Sequence, residues 1–131
     1  MDLKFSSVAA TPSNPTWNNL ISRKDELYKK ENDVRSEFER DYDRIIYCNA
    51  YRRLKHKTQV FFLPKNDHIC TRIEHVNNVD ATSYTIAKAL GLNTTLTRAI
   101  SISHDIGHSP FGHKGEQILN RICMENDLEA F

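Results

Sequence analysis

The sequence is poor in cysteine and has no long apolar run. Its three cysteines, Cys48, Cys70 and Cys123, are odd in number and widely spaced, with no Cys-x-x-Cys pair, which argues against a disulfide framework and favours a reducing compartment. The N-terminal residues contain no apolar core of signal-peptide length, and no later window approaches the length that spans a bilayer. These absences predict a cytoplasmic protein with no membrane partner.

An excess of charge of either sign is also absent. Eighteen basic and seventeen acidic residues among 131 give a formal net charge of +1, so the balance indicates neither a nucleic-acid coat protein nor an acidic tail. Internal repeats and low-complexity tracts are lacking. A chain of this length suits one domain with a real core and is short for two. Partners must therefore be sought in local sites.

Turn-forming residues dominate the start of the chain. The stretch "TPSNP" favours turns over periodic structure, so residues 1–17 are predicted to form a leader arm and residues 18–131 the domain. An apolar stripe at helical spacing then predicts a helix over Val34–Leu54. The stripe consists of Phe38, Tyr42, Ile45 and Ile46, with Asn49 continuing it.

The middle of the chain predicts one strand and two helices. "TQVFFL", Thr58–Leu63, is β-branched and aromatic, which favours a short strand followed by a turn. A helix is predicted over Arg72–Leu90, with Gly91 placed to end it, and Asn93 or Thr94 can cap the next. The two helical stripes are Val76, Val79, Ser83, Ile86 and Leu90, and then Leu96, Ala99, Ile100, Ser103 and His104. The second stripe directs His104 towards the core.

The last part of the chain predicts a break and a final helix. The breaking residues are Gly107, Pro110 and Gly112. The final helix is expected to start near His113 and to bury Ile118, Leu119 and Ile122. The sum is a mainly α fold with at most a short β-hairpin.

Candidate metal ligands lie on the two central helices. His104 and Asp105 are adjacent at a helix end, and imidazole and carboxylate are ligands that zinc and first-row divalent ions accept. Antiparallel packing of the helices would bring His75 beside them. The alternatives stay open: His104 as a satisfied core histidine, and His75 as a surface histidine beside Glu74.

Candidates for proton transfer follow the helix break. His108, His113 and Glu116 fall within the stretch "SHDIGHSPFGHKGE". His113 and Glu116 are three residues apart, so on a helix the carboxylate can orient the imidazole. A plain helix start, with Glu116 favourable to the helix dipole, explains the same pair.

A cluster of cations precedes the predicted strand. It contains Arg52, Arg53, Lys55, His56 and Lys57, and Arg72 follows three residues before His75. Such clusters attract anions, and arginine suits the oxygens of phosphate, so Arg53 and Arg72 are candidate substrate contacts. Nucleic acid is another possible partner, and solubilising charge at a helix end is the structural alternative.

Three blocks in this order resemble a known family. "RRLKHKTQVF", "TRIEH" and "HDIGHSPFGHKGE" are similar to the N-terminal half of the catalytic domain of the deoxyguanosine triphosphate triphosphohydrolases and related dNTP triphosphohydrolases of the HD superfamily. The match covers about Glu37 to Arg121. It implies the helical HD-domain fold, with residues 18–131 as the N-terminal, truncated part of an HD phosphohydrolase domain.

The resemblance also implies roles for individual residues. The implied metal ligands are His75, His104 and Asp105, the implied catalytic residues are His108, His113 and Glu116, and the implied substrate contacts include Gln59 for the sugar and Arg72 for phosphate. The implied reaction is hydrolysis of a deoxynucleoside triphosphate to deoxynucleoside and tripolyphosphate with a divalent metal ion. The pattern does not distinguish Mg, Mn, Fe, Zn and Ni.

One departure from the family pattern concerns the metal site. HD domains use a fourth ligand, a downstream Asp on a later helix, and Asp127 follows the His-Asp pair too closely to replace it. The expectation is a fragment of a longer enzyme, inactive on its own, and family members suggest a homo-oligomer and binding of single-stranded nucleic acid. The alternative is a non-catalytic module that binds nucleotide, nucleic acid or a partner chain. An HD phosphohydrolase for another phosphate ester would not need the "KTQVF" block.

Overall fold

The computed structural model describes residues 5–57 and 70–129. Over these ranges the chain forms six α-helices and two 3-10 turns, Ser6–Val8 and Leu54–His56, without a strand. The helices are α1 Trp17–Leu20, α2 Glu37–Tyr47, α3 Asn49–Arg53, α4 Arg72–Leu90, α5 Thr94–Ser103 and α6 Gly112–Glu125. The predicted mainly helical fold is confirmed. The predicted strand Thr58–Leu63, which contains Gln59, lies outside the described residues.

The single helix predicted over Val34–Leu54 is wrong. Helix α2 begins after Ser36, whose side chain accepts the Glu39 N–H at 3.3 Å while the Glu39 carboxylate accepts the Ser36 N–H at 2.6 Å. It ends at Tyr47, because the backbone of the next residue, Cys48, is extended with φ −72° and ψ 149°. The Cys48 sulfur accepts the Tyr51 N–H at 3.3 Å and starts α3. The spacing of apolar residues carries no information about this sulfur cap, so it predicts one continuous helix.

The core forms where α5 packs against both α2 and α4. Leu54, Val76 and Ile102 are fully buried at its centre. The partly buried side chains around them are Tyr42, Ile45, Ile46, Tyr51 and Ile73. Each fully buried aliphatic side chain of this size contributes about 1.5–3 kcal/mol of burial free energy. Because Tyr42, Ile45 and Ile46 pack against this cluster, most of the apolar stripe predicted for α2 faces the core.

The buried faces of α4 and α5 differ from the predicted stripes. Ile86 and Ile100 are 54 % and 59 % exposed. Asp80 is buried instead, because the Arg98 guanidinium donates two bonds to its carboxylate, at 3.1 and 3.0 Å from Nε and Nη2. A hydrophobicity pattern places aspartate at the surface, so it does not predict an aspartate that is buried because it is paired with an arginine.

Helix α6 starts near the predicted residue, but the residues predicted to be buried are covered only in part. Ile118 and Ile122 are each 46 % exposed, and Gly115 is the buried residue of this helix. No other described helix packs extensively against α6. Leu119 is partly buried, so the predicted apolar face is only partly covered by the described part of the chain.

The predicted leader arm is packed on the domain over its described residues. The Phe5 N–H donates to the Leu90 carbonyl at 3.0 Å, and the Asn93 side chain donates to the Ala10 carbonyl. These bonds attach the arm to the turn between α4 and α5. Among the described helices, none has both the length and the apolar character that a bilayer crossing requires.

The two capping boxes predict acid sensitivity. Backbone hydrogen bonds from Ser36 and Thr71 lower the pKa of Glu39 and Glu74 below the ordinary value of 4.5. A carboxyl whose pKa is lower in the folded state stabilises the fold above its unfolded pKa, and this contribution is lost as pH falls below about 4.5 towards the folded value. The free energy of unfolding should therefore decrease over this interval in urea titrations.

Neutral caps provide the control. Glu39→Gln and Glu74→Gln keep a hydrogen-bonding side chain at each cap but remove its titration, so the double variant should show a flatter dependence on pH. Glu125→Gln, at an exposed position at the end of α6 and outside both capping boxes, serves as the comparison. An unaltered slope in the double variant would contradict the assignment.

Candidate functional site

The start of α4 lies beside the end of α5, because the two helices pack in antiparallel directions. Arg72 Nη1 is 3.1 and 2.8 Å from the two carboxylate oxygens of Asp105. The rings of His75 and His104 have centroids 5.4 Å apart and meet edge to face. The structure thus brings together Arg72 and the three predicted metal ligands.

His104 lies at the surface, so the prediction that it points into the core is wrong. Ile102 and Asp105 occupy the inner side of this helix end. The His104 ring remains oriented, because its Nδ1 is 2.6 Å from the Ser101 carbonyl and donates its hydrogen to it. In the neutral ring this bond selects the tautomer whose Nε2 is available as an acceptor or ligand. His75 is exposed next to the fully buried Val76.

Asp105 is buried and its carboxylate is directed at Arg72. The side chains of both residues are only slightly exposed, at 11 % and 13 %. The donor types of His75, His104 and Asp105 suit a divalent ion. Within residues 5–57 and 70–129, however, no three His, Cys, Asp or Glu side chains are arranged closely enough to hold one. The Arg72 guanidinium and an incoming metal ion would therefore compete for the Asp105 carboxylate.

His108 lies on the inner side of the loop after α5. Its Nδ1 is 4.0 Å from Asp105 Oδ1, and its Nε2 is buried without a hydrogen-bond partner among the described residues. Burial lowers the pKa of this imidazole, and the positive charge of Arg72 lowers it further. His108 is therefore neutral at neutral pH, with a ring nitrogen that a bound ligand could use.

The loop turns sharply before α6. Phe111 and Gly112 both have positive φ, 65° and 60°, and the Ser109 hydroxyl donates to the Gly112 carbonyl at 2.8 Å. Gly115 lies against the loop backbone, since a Cβ there would be 1.8 Å from the Pro110 carbonyl oxygen. The breaking role predicted for this segment fits these contacts. The requirement for glycine at position 115 was not predicted. Its spacing of three residues from Gly112 is the feature of the sequence that could have indicated it.

His113 and Glu116 form the pair that their spacing predicts. His113 Nδ1 is 3.3 Å from Glu116 Oε2, and the two side chains are 91 % and 47 % exposed. The ring of His113 faces that of His108 with centroids 6.1 Å apart. The pair lies at the open side of the site, where proton exchange with solvent is easy.

The basic cluster divides into one inward cation and several exposed ones. The Lys57 ammonium donates to the His108 carbonyl. Burial lowers the pKa of Lys57, and the charges of Arg53 and Arg72 lower it further. Arg53 itself is exposed. Charge clustering in a sequence does not show which side chain turns inward, so the sequence does not distinguish Lys57 from its basic neighbours. Gln59, two residues later, lies outside the described residues.

The comparison with protein families places these residues in a known domain. Residues 72–130 match the family described as HD domain. The chain carries an HD domain. This domain begins at the first residue of α4 and includes His75, the His104–Asp105 pair and the loop that leads into α6. The resemblance to the HD superfamily is confirmed.

Curated relatives agree with this family. The chain is 54 % identical over 90 residues to a deoxyguanosinetriphosphate triphosphohydrolase-like protein of Caldanaerobacter subterraneus, covering 69 % of this chain and 26 % of that protein. Proteins of the same description from Bartonella tribocorum and Pelagibacter ubique are 50 % and 49 % identical over 76 % and 82 % of this chain, and 25 % and 29 % of their own lengths. The chain spans about a quarter of the length of these relatives. These similarities support a family of nucleotide hydrolases.

Proposed function

We propose that this HD domain is part of the active site of an enzyme that hydrolyses deoxynucleoside triphosphates to deoxynucleoside and tripolyphosphate. One observation carries the proposal: Arg72, His75, His104 and Asp105 meet at the α4–α5 junction, next to His108. This group combines metal-ligand chemistry with a phosphate-binding guanidinium. The names of the relatives supply the substrate class.

The proposed reaction breaks one bond and forms one. A water oxygen adds to the α-phosphorus and gives up a proton to the surrounding water, the bond from this phosphorus to O5′ breaks, and O5′ takes a proton. His75, His104 and Asp105 would have to move closer together to hold a divalent metal ion, which would then polarise a phosphoryl oxygen and lower the pKa of water. Arg72 stabilises charge that develops on the phosphate oxygens. His113, oriented by Glu116, supplies the proton to O5′.

Product analysis tests this function. The protein is incubated with each of the four dNTPs and with Mg²⁺, Mn²⁺, Fe²⁺, Zn²⁺ or Ni²⁺ in ¹⁸O-labelled water. Tripolyphosphate and deoxynucleoside should form together, with the label in tripolyphosphate. Release of pyrophosphate or of single phosphate would indicate another hydrolase, and absence of turnover with every metal would contradict a catalytic role.

Arg72→Ala should separate nucleotide binding from metal binding. Loss of a charge-assisted bond to phosphate should weaken nucleotide binding about tenfold or more. Metal should bind at least as tightly as in the parent protein, because the Asp105 carboxylate loses its competing cation. Isothermal titration calorimetry with Mn²⁺ alone, and then with a dNTP, measures both affinities.

A second arginine provides a matched control for this prediction. Arg98 also pairs with a buried aspartate, Asp80, but away from the candidate site. Arg98→Ala should lower stability without changing either affinity. Unchanged nucleotide affinity in Arg72→Ala would show that Arg72 only supports Asp105.

A non-catalytic binding module is the second candidate function. It is favoured by the Asp105 carboxylate being paired with Arg72 and by the exposed apolar side chains of α6. Such a module would bind a dNTP, nucleic acid or a partner chain without converting it. Saturable dNTP binding together with unchanged substrate after prolonged incubation with each metal would select this function over catalysis.

A further inference from the structure

Lys57 lies where three segments of the candidate site meet. Its carbonyl accepts the Arg72 N–H at 2.8 Å, at the first residue of α4, and its own N–H closes the preceding 3-10 turn on Leu54 at 3.4 Å. Its side chain reaches the loop after α5, where the ammonium donates to the carbonyl of His108, 51 residues further along the chain. One residue therefore joins the turn, the start of α4 and the loop.

The side chain of Lys57 differs from those of its basic neighbours. Arg53 and Lys55 are exposed, whereas Lys57 is partly buried. Holding a long side chain in one conformation costs entropy, and removing an ammonium from water costs more unless it donates a hydrogen bond. The bond to the His108 carbonyl meets this requirement. The contact is thus a specific one, unlike the solvated charge around it.

The acceptor of this bond belongs to the most enclosed histidine of the loop. The His108 ring has Nδ1 4.0 Å from Asp105 and a buried Nε2 with no partner among the described residues. A bond to the His108 carbonyl restrains the backbone from which this ring projects. Besides it, the described contacts of this segment are local: the His108 N–H donates to the Asp105 carbonyl at 3.2 Å, and the turn at Phe111 and Gly112 leads into α6.

We propose that Lys57 is a positioning residue, which holds the His108 backbone so that the imidazole stays directed into the site. The inference deepens the proposed function and rests on it, since the use of His108 in phosphate chemistry is part of that function. Lys57 acts on the chemical step through His108. Contact between Lys57 and the nucleotide is not required.

The test compares Lys57→Met, which removes the donor, with Lys57→Arg, which retains one. Lys24→Met removes an exposed lysine from another surface and serves as the control. Two properties are measured: hydrogen exchange of the His108 and Gly112 amides, which are bonded at 3.2 and 3.3 Å, and the kcat and KM of dNTP hydrolysis. Circular dichroism verifies the fold, and Lys57→Gln replaces Lys57→Met if the latter does not fold.

Lys57→Met should speed exchange of both amides about tenfold, because the loop opens more often. It should lower kcat about tenfold with KM within about twofold, the result expected when an interaction of the chemical step is lost. Lys57→Arg should recover part of both changes, and Lys24→Met should match the parent protein.

Three outcomes would overturn the inference. Unchanged exchange in Lys57→Met would show that the bond does not hold the loop. Faster exchange with unchanged kcat would show a structural bond only. A raised KM with unchanged kcat would assign Lys57 to direct phosphate contact. If the parent protein hydrolyses no dNTP, the proposed function fails by itself, and the exchange measurement still decides whether Lys57 holds the loop.

Discussion

Replacing His104 with alanine should abolish both metal binding and dNTP hydrolysis while leaving the helical fold intact. The ring is exposed, and among the described residues its contacts are the bond to the Ser101 carbonyl and the edge contact with His75. Its loss therefore leaves no cavity in the core. A metal site that loses one of its imidazole ligands loses most of its affinity. Metal content by atomic emission spectroscopy and product formation from dGTP measure the two effects.

His113→Ala provides the contrasting variant. His113 is highly exposed and pairs with Glu116, away from the proposed ligands. This variant should keep the metal content of the parent protein and lose hydrolysis, because only the proton donor is removed. Full metal content in His104→Ala would contradict the ligand assignment. Loss of metal in both variants would indicate that the site depends on the whole loop.

Replacing Gly115 with alanine should have the largest effect on stability. The added Cβ would lie 1.8 Å from the Pro110 carbonyl oxygen and 3.0 Å from its carbon. Backbone cannot rotate out of the way as a side chain can, so the loop or the start of α6 must shift. Overpacking of this kind costs about 1–3 kcal/mol, and this contact should fall at the upper end of that range. Urea unfolding followed by circular dichroism measures the loss.

Gly107→Ala is the matched control for this prediction. No atom lies within 4 Å of the position of a Cβ at Gly107. Its effect on the free energy of unfolding should stay within about 0.5 kcal/mol, as for most surface substitutions. Gly115→Ala should in addition impair hydrolysis, because the displaced loop carries His108. Equal stability of the two alanine variants would contradict the close approach of Gly115 to Pro110.

Local signals predicted several elements well. Helix α4 has the predicted bounds Arg72–Leu90, because Gly91 adopts the left-handed conformation with φ 75° and ends it. Asn93 caps α5 through its side chain, which accepts the Leu96 N–H at 2.9 Å. These features depend on residues within a few positions of each other. Their chemistry can therefore be read along the chain.

Burial was predicted less well, because it depends on partners that are distant in the sequence. Helical spacing shows which residues share a face but does not show which face another helix covers. Ala99 is buried as predicted, but the contacts of α5 with α2 and α4 bury Ile102 beside it and leave Ile100 and His104 exposed. Aspartate is usually exposed, but the ion pair with Arg98 allows Asp80 to be buried.

The sequence by itself determined the residue types of the site, the limits of α4 and the order of the three blocks that indicate the HD superfamily. Only the tertiary structure decided that Arg72 pairs with Asp105, that His104 faces solvent and that Lys57 holds the loop at His108. The physical reason is distance along the chain. Local spacing sets caps and faces, whereas a carboxylate or an ammonium finds its partner only when antiparallel helices and a tight loop bring remote segments together.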